Sequence, residues 1–216
     1  MDGDSTAKRI RLTAMAGNSG TGKGTAKGSK SAGGANFASF TEGLIIDDSR
    51  EFAEVDQRDI GKWENAAFKL STEKGMPPDK IRKIDDASAY ASSIAQYAED
   101  RPKNFVSVSD SKYRLQAAAY VESRKNHLEL ILVATAPWNI ANKKGDKRVV
   151  KGAGTLVVIG AIKQSVKRGF GGTLKAEATP DSYSFYEKLG FKKTGVDEYT
   201  LSAKQAQKLL KMYDGR

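Results

Sequence analysis

Cysteine is absent from this 216-residue chain, and histidine occurs once, as His127. These two gaps exclude a disulfide framework, a thiol nucleophile, a thiolate metal site and most histidine-based metal clusters. No metal cofactor is therefore expected. His127 opens an apolar run and reads as a strand-edge residue. No stretch approaches the roughly 20 apolar residues of a membrane span, and the N-terminus lacks the apolar core of a signal peptide. A cytoplasmic protein without a membrane partner is expected. Aromatic residues make up only 8% of the chain, and no aromatic-rich platform for stacking bases accompanies its basic residues.

Acidic charge is the next shortage. The net charge is +10, from 36 Lys and Arg against 26 Asp and Glu. Residues 1–36 hold six basic residues against Asp2 and Asp4, a surplus of +4. A second surplus lies between Ala141 and Phe170, where Lys143, Lys144, Lys147, Arg148, Lys151, Lys163, Lys167 and Arg168 face Asp146 alone. Such a field attracts a polyanion or a phosphorylated cofactor, although a solvated helix face has the same composition.

Within the basic tail, "AGNSGTGKGT" (Ala16 to Thr25) matches the spacing of a phosphate-binding loop from Gly17 through Gly22 to Lys23. A working loop of that kind is delivered by a buried strand and leaves into a helix. Here "KRIRLTAM" precedes it with too few apolar residues, and "AKGSKSAGGA" follows it with too many glycines to start a helix. Residues 1–36 therefore read as a flexible Gly/Ser/Lys-rich tail.

Residues 37–102 read as a helical section packed on the sheet. Phe52, Val55, Ile60, Trp63, Ala67 and Leu70 recur mostly at helical steps, and so do Ile81, Ile84, Tyr90, Ile94 and Tyr97 beyond the break at Pro77 and Pro78. The period then changes. "NFVSVSDS", "YRLQAAAYVES" and "HLELILVAT" are three strands of an antiparallel meander, separated by turn residues. From Gly154 a helix runs to a stop at Gly169. "GTLKAEA" is a strand, "DSYSFYEKLG" a short helix and "FKKTGVDEYTLS" a strand pair turning at Gly195, before a basic helix from Ala203 to Met212. Residues 103–216 thus form a core of mixed α/β (α+β) class.

Two motifs in this core carry chemistry. "KGAG" (Lys151 to Gly154) follows a strand and opens a helix, so its free N–H groups at the positive end of the helix dipole suit a pyrophosphate. An ordinary helix start after glycine looks similar. The second motif is "SFYEKLGF" (Ser184 to Phe191). Together the two resemble the GNAT family of N-acetyltransferases over residues 104–202. Thr179, Ser182, Phe185, Tyr186, Gly190 and Phe191 occupy the slots of that family's N-x-x-A-x-x-F-Y-x-x-x-G-F pattern. Gly152 and Gly154 occupy its Q/R-x-x-G-x-G/A loop, with Val149 in the Q/R slot and Arg148 one place early.

The resemblance implies a mixed, mostly antiparallel sheet with flanking helices, whose splayed central strands hold acetyl-CoA as co-substrate. It places the cofactor against Val133, Ala134 and Thr135, against Arg148, Lys151, Gly152, Ala153, Gly154 and Thr155, and against Thr179, Ser182 and Phe185. Tyr186 then matches the acid that protonates the leaving thiolate; a tyrosine merely packed in its helix is the alternative. Glu129, six residues before Thr135 and so expected on the same strand face, resembles the glutamate base of one branch of the family; a solvent-facing strand-edge charge is the alternative. Glu122 and Glu177 are further carboxylates to weigh.

An N-acetyltransferase acting on a primary amine follows from the resemblance, with a small molecule, a protein or an aminoacyl-tRNA as acceptor and with nucleic acid as a partner of the basic tail. A non-catalytic GNAT-fold binding or structural protein, tethered by that tail, is the rival expectation.

Overall fold

A computed structural model of the chain describes residues 43–214; the basic tail of residues 1–36, including its phosphate-loop-like stretch, lies outside the described residues. Strand β1 (Leu44–Asp47) comes first and was not foreseen in the sequence, where the front section reads as purely helical. Helix α1 (Glu54–Ser71) starts where the Asp56 carboxylate reaches back to accept from the Ala53 N–H at 3.0 Å. Helix α2 (Pro78–Asp100) begins with proline at its first position, where a missing N–H costs nothing. The meander follows as β2 (Phe105–Asp110), β3 (Leu115–Ser123) and β4 (Leu128–Thr135). A short helix α3 (Pro137–Ala141), also unforeseen, leads to helix α4 (Ala153–Lys167). Strand β5 (Leu174–Glu177), helix α5 (Tyr183–Lys188), strands β6 (Lys192–Lys193) and β7 (Glu198–Leu201), and helix α6 (Ala203–Asp214) complete the chain.

The seven strands form one sheet in the order β1-β2-β3-β4-β5-β7-β6. Every pairing is antiparallel except β4 with β5. Alternation along β3 divides the core: Ala117, Ala119 and Val121 face α4, while Leu115, Ala118 and Tyr120 face α1 and α2. The first face is the larger. It collects Leu156, Val157, Ile159 and Ile162 of α4, Phe185 and Tyr186 of α5, and Ala206 of α6. Gly160 lets α4 press on the sheet, since a Cβ there would stand 2.6 Å from Val106 Cγ1 and 3.0 Å from Ile46 Cγ2. The second face is sealed by Ile60 and Trp63 of α1 and by Ala91, Ile94 and Ala98 of α2.

Strand β4 is the hinge of the architecture. It pairs with β5 only from Leu128 to Leu130, and residues 131–135 have no β5 partner. Across β3 the register jumps from Tyr120↔Leu132 to Val121↔Leu130, which leaves Ile131 as an extra residue. Such a bulge bends its strand and steepens its twist, and here it coincides with the point where β4 and β5 diverge. The result is the mixed, mostly antiparallel sheet with splayed central strands that the sequence resemblance implies.

Candidate active site

The fork between β4 and β5 exposes one edge of β4, and the hydrogen-bond phase of the β3–β4 ladder determines what that edge offers. The Ala136 N–H donates to the Gln116 carbonyl at 3.0 Å, which makes that pair a bonded rung. Rungs alternate in an antiparallel ladder, so Ala134 is also bonded to β3, opposite Ala118. Val133 and Thr135 sit on the non-bonded rungs and turn their N–H and C=O groups toward the fork. Of the three residues expected there, Ala134 therefore contributes no main-chain group to that edge. Val133 is 1% exposed and Thr135 5%.

Strand β4 ends at Thr135, and after α3 the chain comes back beside Val133 at the start of α4. Gly152 is the N-cap residue of α4, with φ 83°, a left-handed conformation that glycine adopts without strain. No side chain caps this helix. The N–H groups of Ala153, Gly154 and Thr155 occupy its first turn, where no intrahelical acceptor exists. Arg148, expected to help at this loop, is engaged elsewhere. Its guanidinium donates to Asp146 at 3.0 and 2.7 Å and lies 5.1 Å over the Trp138 ring. Lys151 is exposed beside the loop.

The loop is anchored from below. The Val150 N–H donates to Asn139 Oδ1 at 2.9 Å, and Asn139 Nδ2 donates to the Gln116 carbonyl and to Gln116 Oε1 at 3.3 and 3.1 Å. Gln116 is fully buried, takes the Trp138 indole N–H on the same Oε1 at 2.9 Å and donates to Asp110 Oδ2 at 3.0 Å. Burial pushes the Asp110 carboxyl up, but hydrogen bonds from the Arg114 side chain and from the backbone of Arg114 and Lys112 outweigh it and hold the group below the usual carboxylate range. The sequence reading passed over both amides, although a glutamine inside the apolar run "LQAAAYV" is a visible signal.

Tyr186 is wholly buried and its ring packs against Phe185, Phe191 and Tyr199, with centroids 5.3, 5.1 and 6.0 Å away. Its hydroxyl has no hydrogen-bond partner among the described residues. Burial alone pushes the phenol far above its ordinary range, so the hydroxyl keeps its proton at physiological pH. Tyr186 belongs to the same apolar cluster as Val133, Ala153 and Ala176, the residues that flank the fork.

Thr179, Ser182 and Phe185 prove to be structural in their visible contacts. Ser182 is fully buried, and its hydroxyl accepts from the Thr179 N–H at 3.0 Å and donates to the Thr179 carbonyl at 2.9 Å, closing the turn into α5. Phe185 is 7% exposed in the core.

Glu129 does not share a face with Thr135. Leu128, Leu130 and Val133 belong to the α4-side cluster, whereas Ile131 and Leu132 both pack toward α1 and α2. The bulge at Ile131 shifts the alternation by one, and the faces exchange. Glu129 lies where β4 and β5 are still paired, opposite Lys175, and its carboxylate is bound by Arg124 Nε at 2.5 Å. Glu122 pairs with the same Arg124 at 2.8 Å and with Arg101 at 3.2 Å. Glu177 differs from both. It follows Ala176, the last β5 residue paired with β4, and makes no ion pair among the described residues.

Three lysines of the basic stretch from Ala141 to Phe170 have acidic partners distant in sequence. Lys143 meets Glu73, Lys167 meets Asp48 at 2.8 Å and Lys163 approaches Asp214 at 3.9 Å. Arg168 is spent on Asn104, Ser123, the Lys103 carbonyl and Gln164. Among the described residues no helix is long and apolar enough to cross a membrane.

No family model matches this sequence, and no curated protein matches it. Two solved structures resemble the chain over 73% of its length. One is PaiA N-acetyltransferase from Thermoplasma acidophilum in complex with coenzyme A, 16% identical, with 96% of its own chain covered and a TM-score of 0.46. The other is a Lactobacillus plantarum protein assigned as an N-acetyltransferase, 13% identical, with 92% covered and a TM-score of 0.40.

Proposed function

We propose that this chain is an N-acetyltransferase that moves acetyl from acetyl-CoA to a primary amine by direct transfer. One observation carries the proposal: the β4 edge at Val133 and Thr135 has no β5 partner, and Val133 shares a core cluster with Ala153 in the first turn of α4, which no side chain caps. An edge of this kind pairs with an amide-bearing arm as it would with a strand. The α4 amides suit the pyrophosphate that lies at the other end of such an arm. When bound, acetyl-CoA supplies an activated acetyl thioester.

The chain's own groups do the rest. Val133 and Thr135 fix the register of the arm, and Gly152 keeps the approach to the α4 amides free of a side chain. Tyr186 Oη holds a proton that burial retains, and it donates that proton to the departing thiolate. Glu177, at the fork and without an ion pair, is better placed than Glu129 to take the proton from the attacking amine. Lys151 and Thr155, at the loop, face the phosphates.

Acetyl-CoA at about one hundred times its dissociation constant should stabilise the native state by about 2.7 kcal/mol, since it binds that state alone. For a domain of this size the melting temperature should then rise by about 5–10 °C. Gly152→Val should abolish the rise. A well-folded wild type whose melting temperature ignores acetyl-CoA would remove the proposal. The engagement of Arg148 by Asp146 favours a second reading, a GNAT-fold binding protein without turnover. CoA release in the presence of candidate amines separates the two.

A further inference from the structure

An uncapped helix start binds an anion well only if the chain entering it is fixed, because each amide must already point at the ligand. In this protein the entering segment is irregular. It runs from Asn142, itself left-handed at φ 48°, to Gly152, and carries Gly145 at φ 84° on the way. Eleven residues of such a chain need external anchors.

We propose that Asn139 and Gln116 are the positioning residues of the cofactor loop, acting as a relay from the buried carboxylate of Asp110 to the backbone of Val150. The proposal rests on the assignment of the α4 start as the pyrophosphate site. Every polar atom of the relay has one consistent role. Gln116 Nε2 faces a carboxylate and must be the donor; Gln116 Oε1 faces the indole N–H of Trp138 and must be the acceptor. Asn139 must then turn its NH₂ toward Gln116, and its Oδ1 is left to receive the Val150 N–H. Neither amide of the relay can flip without breaking at least two bonds, which fixes the orientation of both side chains.

The placement of the loop ends supports the same assignment. Val149 packs into the cluster under α1 and α2, and Val150 packs into the cluster under α4. The chain thus crosses from one core to the other at the residue that Asn139 holds, two positions before the N-cap glycine. Displacing Val150 tilts Gly152 and with it the first α4 amides. The side chains of Gln116 and Asn139 make no hydrogen bond to Val133, Thr135 or Tyr186, so their loss should be felt by the phosphates and not by the arm.

The test is Asn139→Ala, with calorimetric binding of CoA and of pantetheine, which has the arm but no pyrophosphate. CoA affinity should fall about tenfold in the variant, while pantetheine affinity stays within twofold. Hydrogen exchange at the Val150 amide should accelerate at least tenfold, and the far-ultraviolet dichroism should be unchanged. Gln116→Met, which keeps the volume and removes the amide, should weaken CoA in the same selective way. A folded Asn139→Ala protein with wild-type CoA affinity would overturn the relay, and so would an equal loss for CoA and pantetheine. A wild type that binds no CoA would overturn the functional proposal itself, which is a different result from a wild type that binds and a variant that binds as well.

Discussion

The buried hydroxyl of Tyr186 leads to a prediction of opposite signs. A buried polar group without a partner costs about 1–3 kcal/mol relative to a satisfied one, and Tyr186 Oη is such a group. Tyr186→Phe removes the oxygen and keeps the ring contacts with Phe185, Phe191 and Tyr199. Some packing is lost with the oxygen, so a net gain of about 1 kcal/mol is expected. For a domain of this size that is a rise of about 2–4 °C in melting temperature. Turnover should move the other way. Loss of a general acid typically costs about 10²–10⁴-fold in rate, and acetyl-CoA affinity should change little. The gain in stability should also shrink when CoA is bound, because the wild-type hydroxyl then acquires its partner. The assay is a pair of melting curves per protein, with and without CoA, alongside steady-state CoA release. A variant that melts lower than wild type without CoA would show that the hydroxyl has a structural partner. An unchanged turnover would move the acid role to another group.

Three further outcomes follow from the same geometry. Glu177→Gln should lower turnover at least tenfold at neutral pH and little at a pH where the amine is already deprotonated, whereas Glu129→Gln should mainly release Arg124; equal effects in a pH–rate comparison would reinstate Glu129. Asp110 has its folded pKa depressed, so the stability it adds is complete above the unfolded value of about 3.9 and is lost as pH falls through the folded value; Asp110→Asn should remove that part of the acid sensitivity in a urea-melt series. Deleting residues 1–36 should leave the melting temperature within about 1 °C, and filter binding of bulk tRNA across a salt series should show whether the tail alone carries a steep salt slope.

The secondary structure was legible where a period or a punctuation residue marked it. Helices α1 and α2 announce themselves through apolar residues at helical steps and through Pro78, and α4 through its glycine at either end. Strand β1 carries no such mark: it is four residues long and lies at the sheet edge, held by its ladder to β2. Helix α3 exists because Trp138 and Ile140 find pockets against α1 and α2, with the Trp63 and Trp138 rings 6.4 Å apart. Both elements depend on partners distant in sequence, which local pattern does not encode.

The site was half legible for a related reason. The glycine positions and the Tyr186 motif are local: Gly152 stands at the start of α4 and Tyr186 lies in the short helix α5. The face of Glu129 is not local. "LELILVAT" is apolar on both sides, as a strand between two cores must be, so nothing in its pattern reveals that Ile131 is a bulge. Counting charge along the chain also misses part of the picture, because Glu73, Asp48 and Asp214, which meet Lys143, Lys167 and Lys163, stand 40 or more residues away from them.

The unresolved demands of the described structure gather in one region, and this is the strongest physical reason to seek a ligand there. Val133 and Thr135 turn main-chain groups toward a gap, α4 begins without a cap, and Tyr186 buries a hydroxyl with nothing to bond. Each is a cost that a fold selected only for stability would remove, and a single substitution would suffice for two of them. The three demands are also chemically distinct: a strand-like partner, an anion and a proton acceptor. A peptide would answer the first, an inorganic phosphate the second, and neither would answer the third. A molecule that carries amides, a pyrophosphate and a thiol along one chain answers all of them. On the proposed function the three costs belong to one site, and the opposite-signed response of Tyr186→Phe, strongest without ligand and weakest with it, is the measurement that tests that connection.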